Sequence, residues 1–370
     1  LWIGTEHRCL LHYDQEMNLI KSYRSILFNN EKDTLKGGFQ CLYEDGSGNI
    51  WIGTRLNGIF RIKQGQTEPV QCKLPVLGQV WVYAILEDSM GVLWIGTNKG
   101  LFHRKQEAES LTLFTNDTIC PELHETVILC IYEDSRKNLW IGTAGRSYGL
   151  YCQPPKYRGT GTFIKYKHKP GNDQSLSNNT IWCVYEDKFH NLWVGTENGL
   201  NRYLRHEDCF ERHFNTIDRG TNFIYKVTDD DKGYLWLATE SGTVRYSPGI
   251  DKNKENQSNK YKKILLHKDA VFYSLYKNST GELLIGSSCN NGKGYYRFYP
   301  DSLAENNEPP PVVITRFLIN DEENKPDTSL QFKKQILLHH KQNNLAFEFA
   351  ALDYFNPSKN EYAYILEGYD

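Results

Sequence analysis

Five acidic pairs are the residues of this chain whose type could do acid–base chemistry: Glu44-Asp45, Glu87-Asp88, Glu133-Asp134, Glu186-Asp187 and Asp229-Asp230. Two adjacent carboxylates can act as proton donor and acceptor when their environments push their pKa values apart. Their spacing argues for another role. Each pair stands seven and six residues ahead of a tryptophan, Trp51, Trp94, Trp140, Trp193 or Trp236, and Lys277-Asn278 takes the same place ahead of Leu284. A catalytic pair needs one singular environment. A pair that recurs at one position, followed by Ser-x-Gly or Lys-x-x-Asn, fits side chains that cap a repeated hairpin.

The other reactive side chains form no site pattern. The nine cysteines show no C-x-x-C or Cys/His zinc spacing, and their odd number argues against a disulfide framework. Cys41, Cys130 and Cys183 all lie ten residues before a repeat tryptophan, where other copies carry Ala84, Lys226 and Ser274, which marks a place for a small side chain near a crowded axis. His339-His340 and the other histidines lack an H-E-x-x-H or i, i+4 arrangement. No catalytic residue, metal site or cofactor is expected.

The elements that position these residues repeat seven times. The pentapeptide L-W-I-G-T or a variant begins at Leu1, Ile50, Leu93, Leu139, Leu192, Leu235 and Leu283, a period of 43 to 53 residues. Upstream of each acidic pair is a short apolar run, such as Val127 to Tyr132 or Ile181 to Tyr185, and downstream of Gly-Thr comes another, such as Gly199 to Tyr203. Runs rich in β-branched and aromatic residues, closed by Asp, Ser, Gly and Asn, read as strands joined by tight turns. Four strands per repeat make one blade of a β-propeller, with the tryptophans filling the space between blades.

The reading is therefore all-β: a seven-bladed β-propeller over residues 1–307 whose first blade lacks its innermost strand. Residues 308–370 then hold a Pro-rich connector, Pro309-Pro-Pro311, and the beginning of an immunoglobulin-like β-sandwich. The run Leu345 to Ala350 alternates apolar and polar as a half-buried strand does. Net charge is −2 and no basic tract appears, which argues against nucleic-acid binding. No apolar stretch is long enough to cross a bilayer, so no membrane contact by this chain is expected.

The repeat E-D-x-x-G-x-L-W-I-G-T-x-x-G-L-x-R-Y resembles the two-component regulator propeller repeat. The tail, with F-x-A-L-D-Y-x-N-P and Y-x-Y-x-L-E-G-Y-D between Leu345 and Asp370, resembles the opening of the Y-Y-Y domain that follows such propellers. Phe163 to Ile181 is similar to the family's blade linker. The combination resembles the periplasmic sensor region of hybrid two-component systems of gut Bacteroidetes such as Bacteroides. The resemblance implies an inner-membrane parent, in which a histidine kinase and transcription-regulating parts follow the sensor outside this chain. It also implies a glycan-derived oligosaccharide as ligand, a homodimer in the parent, and a second propeller able to hold the ligand instead. A protein-interaction scaffold, or a polysaccharide lyase or hydrolase, would share the fold.

A ligand on this propeller would meet the loops between second and third strands, where copies differ over matching flanks. The candidates are Arg55, Asn57, Lys99, Arg146, Tyr148, Asn198, Glu240 and Lys293. The cations among them would suit a carboxylated or sulfated sugar.

Overall fold

A computed structural model describes residues 2–4, 10–14, 18–23, 38–76, 78–105, 110–114, 123, 126–145, 148–158, 160–214, 223–240, 242–248, 261–264, 271–288, 295–302, 312–320, 322–323, 335 and 337–351. The chain divides into two compact units, Leu1–Ser302 and Leu303–Asp370. The division falls ahead of the expected boundary at residue 307, and the connector prolines lie outside the described residues.

Among the described residues the first unit holds seven blades in six antiparallel sheets, blades 2 and 3 sharing one of eight strands. Blade 4 shows the plan: an inner strand Ile128–Glu133, a second Leu139–Thr143, a third Leu150–Gln153 and an outer Ile164–Tyr166, paired in that order. Blade 5 repeats it with Ile181–Glu186, Leu192–Thr196, Gly199–Leu204 and Cys209–Phe214, and blade 6 with Ile224–Asp229, Leu235–Thr239, Gly242–Tyr246 and Tyr261–Ile264. Blades 2 and 3, whose inner strands are Phe39–Glu44 and Val80–Glu87, are laced together because Arg55 and Leu56 at the end of one pair with Trp81 and Val80 of the other. Among the described residues, blade 1 has Trp2–Gly4, Leu10–Tyr13 and Leu19–Tyr23, the equivalents of second, third and outer strands. Blade 7 has Val271–Lys277, Leu283–Ser288 and Tyr295–Phe298.

The repeat tryptophans form the core between blades. Trp51, Trp94, Trp140, Trp193 and Trp236 are all buried. Trp140 packs among Leu192 and Val194 of blade 5, and Trp193 among Leu235 and Leu237 of blade 6. Burying the indole ring removes a large apolar area from water, but it also buries an N–H that needs an acceptor. The aspartate of each pair supplies it: the indole donates to Asp45, Asp88, Asp134, Asp187 and Asp230 at 2.7 to 3.0 Å.

The other oxygen of each aspartate caps the turn as the sequence suggests. Asp134 Oδ1 accepts the backbone N–H groups of Arg136 and Asn138 at 3.0 and 2.9 Å. The first acid of the pair does something else. Glu133 accepts from the Ser89 backbone N–H and hydroxyl at 2.8 and 3.0 Å, and Glu186 from those of Ser135 at 2.6 and 2.8 Å, so each reaches into the turn of the preceding blade. Glu87 takes the N–H of Gly46 at 2.6 Å and Asp229 that of Lys188 at 2.9 Å in the same way. Blade 7 keeps the contact with its polarity reversed, Lys277 Nζ lying 3.2 Å from Asp231 and 3.4 Å from Asp229. Arg158 and Arg205 add buried bridges, to Asp88 and Glu133 and to Asp134 and Glu186 respectively, at 2.7 to 2.8 Å. The pairs are thus a capping and clasping device: the aspartates and, from Glu87 onward, the first acids are engaged by donors, while Glu44 is exposed.

The second unit, described over 312–320, 322–323, 335 and 337–351, is a three-stranded sheet in which Val312–Ile319 pairs with both Glu322–Glu323 and Leu345–Ala351. Phe317 stacks on Phe347 at 4.8 Å across the central pair.

Candidate functional site

Strand register puts the varied loops and the start of each inner strand at one end of the blades. Ile181 pairs with Thr196, Ile224 with Thr239 and Ile128 with Thr143, so an inner strand begins beside the threonine that closes the second strand. That threonine then pins the loop. Its hydroxyl donates to the carbonyl of the loop's last glycine in blades 2 to 6, for example Thr196 to Gly199 at 2.9 Å, and it accepts the N–H of Asn198 at 3.0 Å.

In the first half of each inner strand the register slips by a β-bulge, between Ile181 and Cys183, Ile224 and Lys226, Phe272 and Ser274, and likewise in blades 2 to 4. A bulge leaves one residue unpaired and re-aims its side chain. The bulged residues are Gln40, Tyr83, Leu129, Trp182, Tyr225 and Tyr273. Three of them make a continuous arc across blades 5 to 7. Trp182 meets Tyr225 edge-to-face with centroids 5.1 Å apart, and Tyr225 meets Tyr273 at 4.9 Å. Phe223 extends the arc 6.0 Å from Tyr225. Tyr273 is 51 % exposed, and the Trp182 indole N–H is buried with no hydrogen-bond partner among the described residues.

Charge is distributed unevenly around the arc. Burial pushes the Tyr225 phenol up to about 12, helped by Tyr273 and by the carboxylates of Glu240 and Glu197 on the loops of blades 6 and 5. On the opposite side Arg55 lies over the Trp81 ring at 4.6 Å, and Trp81 neighbours Tyr83 at 6.2 Å. Aromatic faces beside carboxylate acceptors can stack against the C–H face of a ring while holding its hydroxyl groups. Among the described residues no group of three or more His, Cys, Asp or Glu could hold a metal ion.

The structure sorts the loop candidates. Glu240 stands in the arc's electrostatic neighbourhood, and Arg55 is engaged on Trp81. Asn57 takes part in the lacing of blades 2 and 3, its N–H donating to Thr54 Oγ1 at 3.2 Å and its carbonyl accepting from Gln71 at 3.1 Å. Lys99 and Asn198 sit on hairpin tips whose backbone the threonine holds. Tyr148 packs on the core between blades 3 and 4 and stays half-buried. Arg146 and Lys293 lie outside the described residues. The loops alone did not reveal Trp182, Tyr225, Tyr273 and Glu197. A signal existed for the first three: eleven residues before the repeat tryptophan or its equivalent, the copies carry Tyr83, Trp182, Tyr225 and Tyr273.

Comparison with known proteins agrees with this architecture. Residues 36–55, 77–99, 122–145 and 175–198 match the family model described as two component regulator propeller, and the chain carries those repeats. Along its whole length it is 25 % identical to a protein named histidine kinase P4 of Formosa agariphila, of which it spans 24 %. Among solved structures it is similar to the extracellular domain assigned to a hybrid two component system of B. thetaiotaomicron, with a TM-score of 0.72 and 21 % identity over 95 % of this chain and 45 % of that one. It is also similar to PorZ, a surface component of the type-IX secretion system of Porphyromonas gingivalis, with a TM-score of 0.52 and 17 % identity over 70 % of this chain and 38 % of that one. The chain therefore covers about a quarter of the curated relative and under half of either structure.

Proposed function

We propose that this chain is the extracytoplasmic ligand-sensing part of a hybrid two-component histidine kinase, detecting a glycan-derived oligosaccharide and passing occupancy to a kinase outside this chain. The aromatic arc Trp182–Tyr225–Tyr273 carries the ligand half of this reading. It gathers stacking surface, 51 % exposed at Tyr273, and the nearby carboxylates of Glu197 and Glu240 at the end of the propeller where the loops vary. Support for the sensor half comes from the two component regulator propeller repeats and from the full-length similarity to a histidine kinase. The place of action is the periplasm, with the parent anchored in the inner membrane and working as a homodimer. No helix among the described residues is long and apolar enough to cross a membrane.

The chain is read as non-enzymatic because its repeated carboxylates are committed to backbone, indole and arginine donors. Calorimetric titration against a panel of glycan oligosaccharides tests the proposal. An oligosaccharide should bind, its affinity should fall at least tenfold in Tyr273→Ala and Trp182→Ala, and the sugar should be recovered uncut after a day with the protein. Binding indifferent to both substitutions would move the ligand off this face, and cleavage products would make the chain an enzyme.

A further inference from the structure

The residue that follows the second strand's threonine is Arg55 in blade 2, Glu197 in blade 5 and Glu240 in blade 6. The backbone at this position repeats from blade to blade. The N–H of Arg55 donates to the Gly38 carbonyl at 2.9 Å, and that of Glu197 to the equivalent Thr180 carbonyl at 3.3 Å. Arg55 shows where a side chain from here can go: its guanidinium lies over the Trp81 ring of blade 3 at 4.6 Å, and Trp81 neighbours Tyr83 at 6.2 Å. The strand register makes Phe223 and Tyr225 the equivalent rings of blade 6, and they lie 6.0 Å apart. The residue that stands in the place of Arg55 before them is Glu197. Similar aromatic pairs are thus met by a cation at blades 2 and 3 and by a carboxylate at blades 5 and 6.

A second carboxylate joins the first. Thr239 pairs with Ile224, which sets Glu240 one residue beyond the strand end beside Tyr225. Burial raises the Tyr225 phenol, and Tyr273, Glu240 and Glu197 raise it further, so both acids act on the centre of the arc. Glu197 is half-buried and Glu240 exposed, and neither carboxylate takes a hydrogen bond or an ion pair among the described residues. No cation among them, Lys226 included, lies over Trp182, Phe223 or Tyr225. An aromatic face and a carboxylate both present negative potential, so neither neutralises the other. What satisfies both together is a positive charge, the part that Arg55 plays on Trp81.

We infer that the ligand seated on the arc carries a cationic group, the ammonium of an amino sugar, held against the faces of Tyr225 and Tyr273 with Glu197 and Glu240 as its counter-ions. The inference rests on the reading of the arc as the ligand surface and adds the charge of the ligand to it. A carboxylated or sulfated sugar, which the cations of the loops suggest, would set like charge against like over blades 5 and 6.

Calorimetric titration with three monosaccharides of different charge tests this: glucosamine, N-acetylglucosamine and glucuronate. The expected result is saturation by glucosamine with a midpoint on the order of millimolar, binding of N-acetylglucosamine weaker by about tenfold or more, and no saturation by glucuronate. Added sodium chloride should weaken the binding of glucosamine and spare that of N-acetylglucosamine, because it screens only the charged partner. In the double variant Glu197→Gln with Glu240→Gln the preference for the amine should shrink to within about threefold. N-acetylglucosamine or glucuronate bound as tightly as glucosamine, or a preference that survives the double variant, would overturn the inference and leave the arc a sugar surface. Failure of glucosamine to saturate would overturn it as well, and the oligosaccharide titration with Tyr273→Ala then decides the reading of the arc by itself.

Discussion

Replacing Asp134 with Ala, beside Asp187 with Ala, measures what the arginine bridge adds to the repeated clasp. The two aspartates make the same local bonds: each accepts two turn N–H groups, an asparagine amide and a buried indole, Trp140 at 3.0 Å and Trp193 at 2.7 Å. Asp134 alone of the two also holds Arg205, at 2.8 Å, with side-chain exposures of 0 % and 11 %. Truncating Asp187 leaves a buried indole donor unpaired, at about 1 to 3 kcal/mol. Truncating Asp134 does this and also removes one of the two carboxylates from a buried guanidinium, with Glu186 still in place at 2.8 Å. A cost of about 3 to 5 kcal/mol follows, roughly 2 kcal/mol more than at Asp187. Urea unfolding followed by tryptophan fluorescence reads the difference as a shift in midpoint at constant slope. The pH dependence supplies a second readout. Burial alone would raise the Asp134 pKa, but the hydrogen bonds from Asn138, Arg205 and Trp140 outweigh it and hold the carboxyl below its ordinary value. A folded pKa below the unfolded one, which is about 4, gives stabilisation that is complete above that pH and lost as pH falls through the folded value. Asp134→Ala should therefore lose less stability than the parent between about pH 4 and pH 2. Equal costs at Asp134 and Asp187, within about 0.5 kcal/mol, would refute the contribution of the Arg205 bridge.

Two further perturbations probe the packing. Trp140→Ala should cost about 3 to 5 kcal/mol, because the indole fills the space against Leu192 and Val194 of the next blade; a loss under about 1 kcal/mol in urea unfolding would contradict interblade filling. Gly286→Ala should cost about 1 to 3 kcal/mol, since the added Cβ would lie 2.3 Å from the Ser274 hydroxyl but 3.6 Å from its Cβ. Adding Ser274→Ala should recover most of that loss, and a double variant no more stable than Gly286→Ala would show that something other than the hydroxyl crowds the site.

The fold was legible because each repeat carries its own instructions. A turn signal, two apolar runs and a tryptophan at fixed separation specify a hairpin locally, and seven copies leave radial stacking as the way to bury the indoles. The structural role of the acidic pairs followed from their repetition, yet only half of it was local. Asp134 acts within its own hairpin, which sequence separation reveals, whereas Glu133 acts on Ser89, which lies in another repeat. The candidate site was harder to read. Loop variation pointed to the end of the blades where the inner strands begin, and there Arg55 lies over Trp81 and Tyr148 packs on the core.

The amino-acid sequence by itself determined the strand plan, the count of blades and the burial of the tryptophans, because these depend on periodicity and on a surface that each repeat presents to the next in the same form. Tertiary structure alone decided which aromatic side chains gather at the loop end of the blades. Trp182, Tyr225 and Tyr273 stand more than forty residues apart in the chain and come together because three bulges, each at the start of an inner strand, turn toward one another when the blades stack.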